Sequence, residues 1–249
     1  MSSPDPAEVT RHLYLDLMMR SLLDYLYGDQ RFAGCEDRAR IGEFGLPAIA
    51  HTMIGIDRLK TILACLEDVI GNRVPGDLIE TGVWRGGACI FMRAILKAHG
   101  ILDRRVWVAD SFRGLPVPDE SKYPYDTGLD FSGYEEVAVS LGEVKKNFER
   151  YGLLDECVQF LPGWFKDTLP DAPIDRLAVL RLDGDLYEST TNALESLYPK
   201  LSIGGYVVVD DYGVLVACRQ AVHDFRDAHG IHDEITWVDE SEIFWKRSS

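Results

Sequence analysis

Two apolar runs that each end in acidic residues place the strongest constraint on the fold of this chain. Residues 177–182 lead into Asp-Gly-Asp at 183–185, and residues 207–209 lead into two aspartates. Apolar runs of this length are typical of buried parallel strands. Ligands bind beyond the carboxyl ends of the strands in an open α/β sheet. We therefore expect one edge of one sheet to collect the carboxylates of Asp183, Asp185, Asp210 and Asp211, with a hard divalent cation to balance their charge.

Predicted strands and helices alternate along most of the chain, which indicates an α/β fold with a mostly parallel sheet and helices on both faces. The apolar spacing before residue 72 predicts two helices, at 13–26 and 54–70. Further on, we predict strands at 76–82, 105–110, 157–161, 177–183 and 205–211, helices at 88–99, 188–201 and 214–229, and a closing antiparallel pair at 234–238 and 242–246. Residues 113–140 interrupt this alternation and indicate either a functional cover or a surface insertion without a role.

The charge balance argues against a nucleic-acid partner. The 249 residues carry 26 basic and 41 acidic side chains, a formal net charge of −15, whereas binding of phosphate backbones depends on Lys and Arg. We see no apolar run near the roughly 20 residues that a membrane span needs, and no secretory signal. The five cysteines are scattered and lack metal-knuckle spacing. These features predict reduced cysteines and a cytoplasmic protein without a membrane partner.

A glycine-rich turn after the first predicted core strand indicates a nucleoside site. The turn begins at Glu80 and Gly82, and it opens a helix, so its backbone can approach a ligand closely. The dinucleotide pattern requires glycine where Glu80 stands, and an acid there would repel phosphate but accept a hydrogen bond from an ammonium group. Asp110 ends the next strand, where an acid typically binds ribose hydroxyls. An adenosine ligand with an amino acid end, S-adenosylmethionine (SAM), satisfies both; the alternative is a turn that serves only packing.

Several longer motifs resemble the macrocin O-methyltransferase family, the magnesium- and SAM-dependent sugar O-methyltransferases of antibiotic biosynthesis. The resemblance runs from Leu13 to the end of the chain and weakens at 31–49 and 115–140. The motifs that carry it are AHTMIG at 50–55, VPGDLIETGVWRGGACI at 74–90, VWVADSF at 106–112, FLPGWFKDT at 160–168 and RLDGD at 181–185.

The resemblance implies a class I SAM-dependent methyltransferase, a Rossmann-like fold with a seven-stranded sheet. Residues 1–72 would be a helical N-terminal extension and 73–249 the SAM-binding catalytic core of a single domain. The partners would be a glycosylated small molecule and a second copy of the chain in a homo-oligomer. The implied site residues are Mg²⁺ ligands Asp183, Asp210 and Asp211, general base Asp185, and cofactor contacts Met53, Glu80, Gly82, Asp110 and Ser111.

Physical chemistry supports these roles but leaves alternatives. A cation lowers the pKa of a bound hydroxyl, and a neighbouring carboxylate can then take its proton. Asp210 and Asp211 can bind one ion only if their strand ends beside them, because side chains alternate along a strand. Asp185 could instead cap the helix near Glu188. His51, in the motif at 50–55, could line the site or have a structural or supporting role.

Two other enzyme classes would use the same acids. An aspartate-nucleophile phosphatase has acids after an apolar strand beside Mg²⁺, but it leaves the glycine turn and Asp110 unexplained. A catechol or phenol O-methyltransferase shares the metal logic, but the lysine that such enzymes carry shortly after the first metal aspartate is missing from Gly184-Asp185-Leu186-Tyr187. A non-catalytic acidic scaffold would make the four acids a coincidence.

Overall fold

Seven strands form one sheet in the computed structural model, which describes residues 5–26 and 49–249. The order across the sheet is β3-β2-β1-β4-β5-β7-β6. The first five strands are parallel, and β7 pairs antiparallel with both β5 and β6. Their bounds are β1 Asp77–Thr81, β2 Val106–Asp110, β3 Val158–Pro162, β4 Leu177–Leu182, β5 Leu201–Val209, β6 Thr236–Trp237 and β7 Ile243–Lys246. The predicted class, a mostly parallel α/β sheet of seven strands, is confirmed.

Helices cover both faces of the sheet. Their bounds are α1 Pro6–Leu22, α2 Gly55–Gly71, α3 Gly87–Ala98, α4 Leu141–Arg150, α5 Phe165–Thr168, α6 Tyr187–Leu197 and α7 Val216–His229. Helices α1 and α2 pack with α3 on one face, and α6 packs with α7 on the other. None of the helices within 5–26 and 49–249 has the length and apolar character needed to cross a membrane.

The two-residue period of the strands divides the core between these faces. In β1, Leu78 packs with α2 and α3, while its neighbour Ile79 packs on the opposite side with α6 and α7. Val108 and Trp107 of β2 divide in the same way. A central strand buried on both sides is mostly apolar, which explains the long hydrophobic runs in the sequence.

Several element boundaries differ from the prediction. Helix α1 begins at Pro6, well before residue 13, because the Asp5 carboxylate accepts a hydrogen bond from the Ala7 amide (3.1 Å) and starts the helix. The helix predicted at 188–201 ends at Leu197, and a short 3₁₀ helix at Tyr198–Lys200 follows. Pro199 lies in that turn and lacks the N–H that a continuing helix would need. Strand β5 consequently begins at Leu201, earlier than the predicted start at residue 205.

Candidate active site

The carboxyl ends of the parallel strands meet at one edge because backbone hydrogen bonds continue one residue past β1, β4 and β5. The Gly82 amide donates to the Ala109 carbonyl, the Asp183 amide to Thr81, and the Asp210 amide to Leu182, each at 2.9 Å. The residues that follow β1, β4 and β5 are therefore held at the same level. The strand register brings together side chains that are as far apart in the sequence as Glu80 and Arg181.

The glycine turn at this edge is held in place by the acid that ends β2. One carboxylate oxygen of Asp110 accepts a hydrogen bond from the Val83 amide (2.8 Å), and the other accepts one from the Phe112 amide (2.6 Å). Gly82 has φ +89°, and a Cβ there would lie 1.7 Å from the Asp183 carbonyl oxygen. Only glycine allows β1 and β4 to end this close together.

Three carboxylates form a compact group at the ends of β4 and β5. Asp183, Asp210 and Asp211 each offer an oxygen, and these oxygens lie within 4.8 Å of one another. Strand β5 ends at Val209. Asp210 and Asp211 follow the strand, so their side chains need not point to opposite faces of the sheet. This is the condition for both of them to bind one ion.

Asp185 lies beside this group. Its amide donates to an Asp211 carboxylate oxygen (3.1 Å), and its backbone has φ +61°, in the left-handed region that aspartate tolerates better than most residues. Its own carboxylate accepts no hydrogen bond from any residue that the structure describes. The alternative role as a helix cap is wrong, because α6 begins after Leu186 without a side-chain bond from Asp185.

Two arginines neutralise part of this acidic edge. The fully buried Arg181 of β4 donates from Nη1 to Glu80 and to Asp183, both at 2.6 Å, and from Nη2 to Asp210. Arg58 of α2 donates from Nη1 to the other oxygen of Asp210 (2.6 Å) and from Nε to Asp239 (2.7 Å). Both oxygens of Asp210 are thus engaged by guanidinium groups.

The remaining negative charge is poorly compensated. Burial, reinforced by the charge of Asp210, raises the pKa of Asp183 well above its usual range. Burial, and to a smaller extent the charge of Asp185, raises the pKa of Asp211 well above its usual range. Burial and Asp210 raise the pKa of Asp185 to about 6. Deprotonation of this group therefore calls for additional positive charge.

A cavity of about 470 Å³ connects the glycine turn to the acidic edge. Every residue predicted for the site lies on its wall: Met53, Glu80, Gly82, Asp110, Ser111, Asp183, Asp185, Asp210 and Asp211. Aromatic and apolar side chains form much of the remaining wall, among them Ile54, Trp84, Leu115, Pro116, Phe131, Tyr134, Val137, Trp164 and Phe165. Many of these come from residues 114–137, so the insertion forms part of the cavity wall.

Other residues singled out in the sequence lie elsewhere. His51 does not line the cavity, and its Nδ1 lies 3.0 Å from the Tyr151 hydroxyl. The described cysteines are free and buried, as predicted; they are Cys65, Cys89, Cys157 and Cys218. Cys35 and the weakly matching segment before Ile49 lie outside the described residues.

Two contacts that shape the site were not predicted from the sequence. Asp126 of the insertion is fully buried, and its carboxylate accepts hydrogen bonds from the amides of Tyr187 (2.6 Å) and Glu188 (3.1 Å) at the start of α6. No local pattern indicates a cap that comes from 61 residues away. The second contact is the Arg181 network, for which a signal existed: a cation stands inside an otherwise apolar strand.

The sheet order, the glycine turn and the acid that ends β2 define a class I SAM-dependent methyltransferase. Calicheamicin methyltransferase CalS11 shares this fold at 19% identity, with a TM-score of 0.64 over 98% of this chain and 94% of that chain. The O-methyltransferase NovP superposes far more closely, with a TM-score of 0.90 at 53% identity over 96% of this chain and 100% of that chain.

The chain belongs to the macrocin O-methyltransferase (TylF) family, whose model matches residues 13–247. It is 54% identical to demethyldecarbamoylnovobiocin O-methyltransferase of Streptomyces niveus, over 95% of this chain and 94% of the relative. It is 49% identical to mycinamicin III 3''-O-methyltransferase of Micromonospora griseorubida, over 95% of this chain and 97% of the relative. Membership of this family rules out the phosphatase and scaffold alternatives.

Proposed function

We propose that this enzyme transfers a methyl group from SAM to a hydroxyl of a deoxysugar on a glycosylated natural product, in antibiotic biosynthesis, and that it uses Mg²⁺. One observation carries the proposal: four carboxylates lie on the wall of the same cavity as the glycine turn. Three of them form the cluster of Asp183, Asp210 and Asp211, and the fourth, that of Asp185, accepts no hydrogen bond from the described residues. The names of the relatives support the acceptor class, since they describe O-methyltransferases of demethyldecarbamoylnovobiocin and of mycinamicin III.

The donor set fits Mg²⁺. Carboxylate oxygens are the ligands this ion prefers, and it keeps open positions for water or substrate oxygens. One oxygen each of Asp183 and Asp211 accepts no hydrogen bond from the described part of the chain, so both are free to bind an ion. Each Asp210 oxygen accepts one guanidinium bond, so Asp210 would bind an ion through a second lone pair. We assign Asp183, Asp210 and Asp211 as the ligands. When bound, the ion would supply the positive charge that acidifies an acceptor hydroxyl.

Asp185 is the group we assign as general base. Its free carboxylate and its pKa of about 6 leave it mostly ionised at neutral pH and able to accept a proton. In the transfer, the acceptor oxygen forms a bond to the methyl carbon, the carbon–sulfur bond breaks, and the hydroxyl proton passes to Asp185. The products are the methyl ether and S-adenosylhomocysteine. The step depends chiefly on the alignment of oxygen, carbon and sulfur.

The donor is assigned to the glycine turn. Asp110 and Ser111 lie where the ribose of a nucleoside binds in folds of this kind, and Gly82 permits close approach of the backbone. Glu80 would face the ammonium group of the amino acid end. Met53 lines the cavity from the segment before α2 and would contact the same ligand.

The insertion is the part of the cavity that we assign to the acceptor. Its apolar and aromatic walls suit the non-sugar part of a glycoside, whereas the acidic edge suits hydroxyls. A sugar diol is favoured over a catechol because residues 184–187, directly after Asp183, include no lysine. Lys166, on the cavity wall, pairs with Glu188 (3.4 Å). A diol bound at the acidic edge would also fix which hydroxyl meets the methyl group.

Three further properties complete the proposal. We assign residues 73–249 to the catalytic core and 1–72 to an N-terminal extension, because the sheet begins at Asp77. Leu13 and Leu17 lie on one side of α1 and are 68% and 52% exposed, which supports a homo-oligomer. The buried free cysteines favour a reducing compartment, the cytoplasm.

The first experiment is a calorimetric titration with S-adenosylhomocysteine in the presence of Mg²⁺, followed by methyl transfer from SAM to a set of glycosylated acceptors. We expect saturable one-to-one binding and transfer only to acceptors with a free sugar diol. Transfer to a catechol in preference to every glycoside would overturn the acceptor class. A protein that binds no S-adenosylhomocysteine would overturn the donor assignment.

A further inference from the structure

Arg181 is the most unusual residue of the sheet, because it places a fully buried cation in the central strand β4. In register it lies beside Glu80 of β1 and Val208 of β5. Its neighbours in the strand are apolar, as a strand covered on both faces requires. A charge in such a position is costly unless carboxylates compensate it.

Its bonds connect the donor turn to the acidic edge. A single nitrogen, Nη1, donates to Glu80 and to Asp183, both at 2.6 Å. The other terminal nitrogen, Nη2, donates to Asp210 and, at 3.4 Å, to Glu242. The guanidinium is planar and rigid, so a change in the position or charge of Asp183 alters its bond to Glu80.

We propose that Arg181 is a positioning residue that couples donor binding to metal binding. The inference rests on the proposed function, in which Glu80 faces the donor and Asp183 and Asp210 hold the cation. A cation at these aspartates would take over part of their charge. Arg181 would then hold Glu80 more firmly in one orientation, and the donor would bind a site that is already ordered. Because coupling is reciprocal, the donor would tighten metal binding by the same factor.

Arg58 provides a matched control. It also donates to Asp210, at 2.6 Å, and it bonds Asp239, but none of its hydrogen bonds within the described residues reaches Glu80. Arg58→Lys therefore perturbs the same acidic edge without touching the connection to the donor turn. Arg181→Lys keeps the positive charge but cannot place two rigid nitrogens between the four carboxylates.

The test compares the Kd of S-adenosylhomocysteine with and without saturating Mg²⁺, by calorimetry. We expect Mg²⁺ to tighten binding at least about fivefold in the unmodified protein and in Arg58→Lys, and by less than about twofold in Arg181→Lys. Saturating S-adenosylhomocysteine should lower the Kd of Mg²⁺ by the same factor in each protein. If Arg181→Lys does not fold, Glu80→Gln, which weakens the same bond from the other side, should lose at least half of the coupling free energy.

The outcomes are distinct. If Mg²⁺ changes the Kd of S-adenosylhomocysteine by the same factor in Arg181→Lys as in the unmodified protein, the inference is overturned. The same result for Glu80→Gln would also overturn it. A ratio near one in the unmodified protein would refute the coupling while leaving the proposed function intact. Absence of S-adenosylhomocysteine binding under every condition would refute the proposed function and this inference with it.

Discussion

Removal of the Asp126 carboxylate should destabilise the protein far more than its position in an insertion suggests. Its two oxygens satisfy the amides of Tyr187 and Glu188 at 2.6 and 3.1 Å, and the side chain is fully buried. Hydrogen bonds to charged groups contribute about 1.5–3 kcal/mol each, and loss of a helix cap costs about 0.5–2 kcal/mol. Burial raises the pKa of Asp126, so the cost of desolvating the carboxylate offsets part of this gain. We therefore expect Asp126→Ala to lower the free energy of unfolding by about 2–4 kcal/mol.

Differential scanning calorimetry and urea unfolding would measure this loss. For a chain of this size the melting temperature should fall by roughly 5–15 °C. Asp126→Asn keeps one good acceptor oxygen and should lose about half as much free energy. Asp130→Ala is the control from the same insertion, because the Asp130 carboxylate bonds the neighbouring Ser132 near the surface, so its cost should stay within about 0.5 kcal/mol. A cost for Asp126→Ala no larger than that of the control would refute the cap argument.

The remaining predictions concern the chemistry and the donor turn. Asp183→Asn should abolish turnover, while its affinity for S-adenosylhomocysteine by calorimetry stays within about tenfold of the unmodified enzyme. A chelator should abolish turnover of the unmodified enzyme until Mg²⁺ is restored. Normal turnover of the variant or of the chelator-treated enzyme would contradict the metal role. Because Asp185 must be ionised to act as base, kcat/KM should fall as the pH drops through about 6. A bound cation that lowers the pKa of Asp185 would move this fall to a lower pH. The residual activity of Asp185→Asn should not show the fall. Gly82→Ala should prevent folding or donor binding, since its Cβ would meet the Asp183 carbonyl at 1.7 Å; a folded Gly82→Ala variant with unchanged donor affinity by calorimetry would contradict that interpretation.

The fold class and the acids of the site could be predicted from residue order alone. Apolar runs predict strands because a parallel sheet is buried on both faces, and the acids at 183–185 and 210–211 come directly after two such runs. Parallel strands point the same way, so residues after them meet at one edge whatever the details of packing. Periodicity and chain direction suffice for these acids, whereas Met53 and Ser111 were implied by the family resemblance. All of the predicted site residues lie on one cavity wall.

The compensation of the charges and the attachment of the insertion, by contrast, became visible only in three dimensions. Arg181 reaches Glu80 because β1 and β4 are neighbours in a particular register, and Asp126 caps α6 because the insertion folds back over the sheet edge. Neither partner choice leaves a local sequence pattern, since hydrogen bonds between residues 61 or 101 positions apart depend on three-dimensional distance alone. The boundaries of α1 and α6 were likewise set by a capping carboxylate and a proline, which outweighed the apolar spacing.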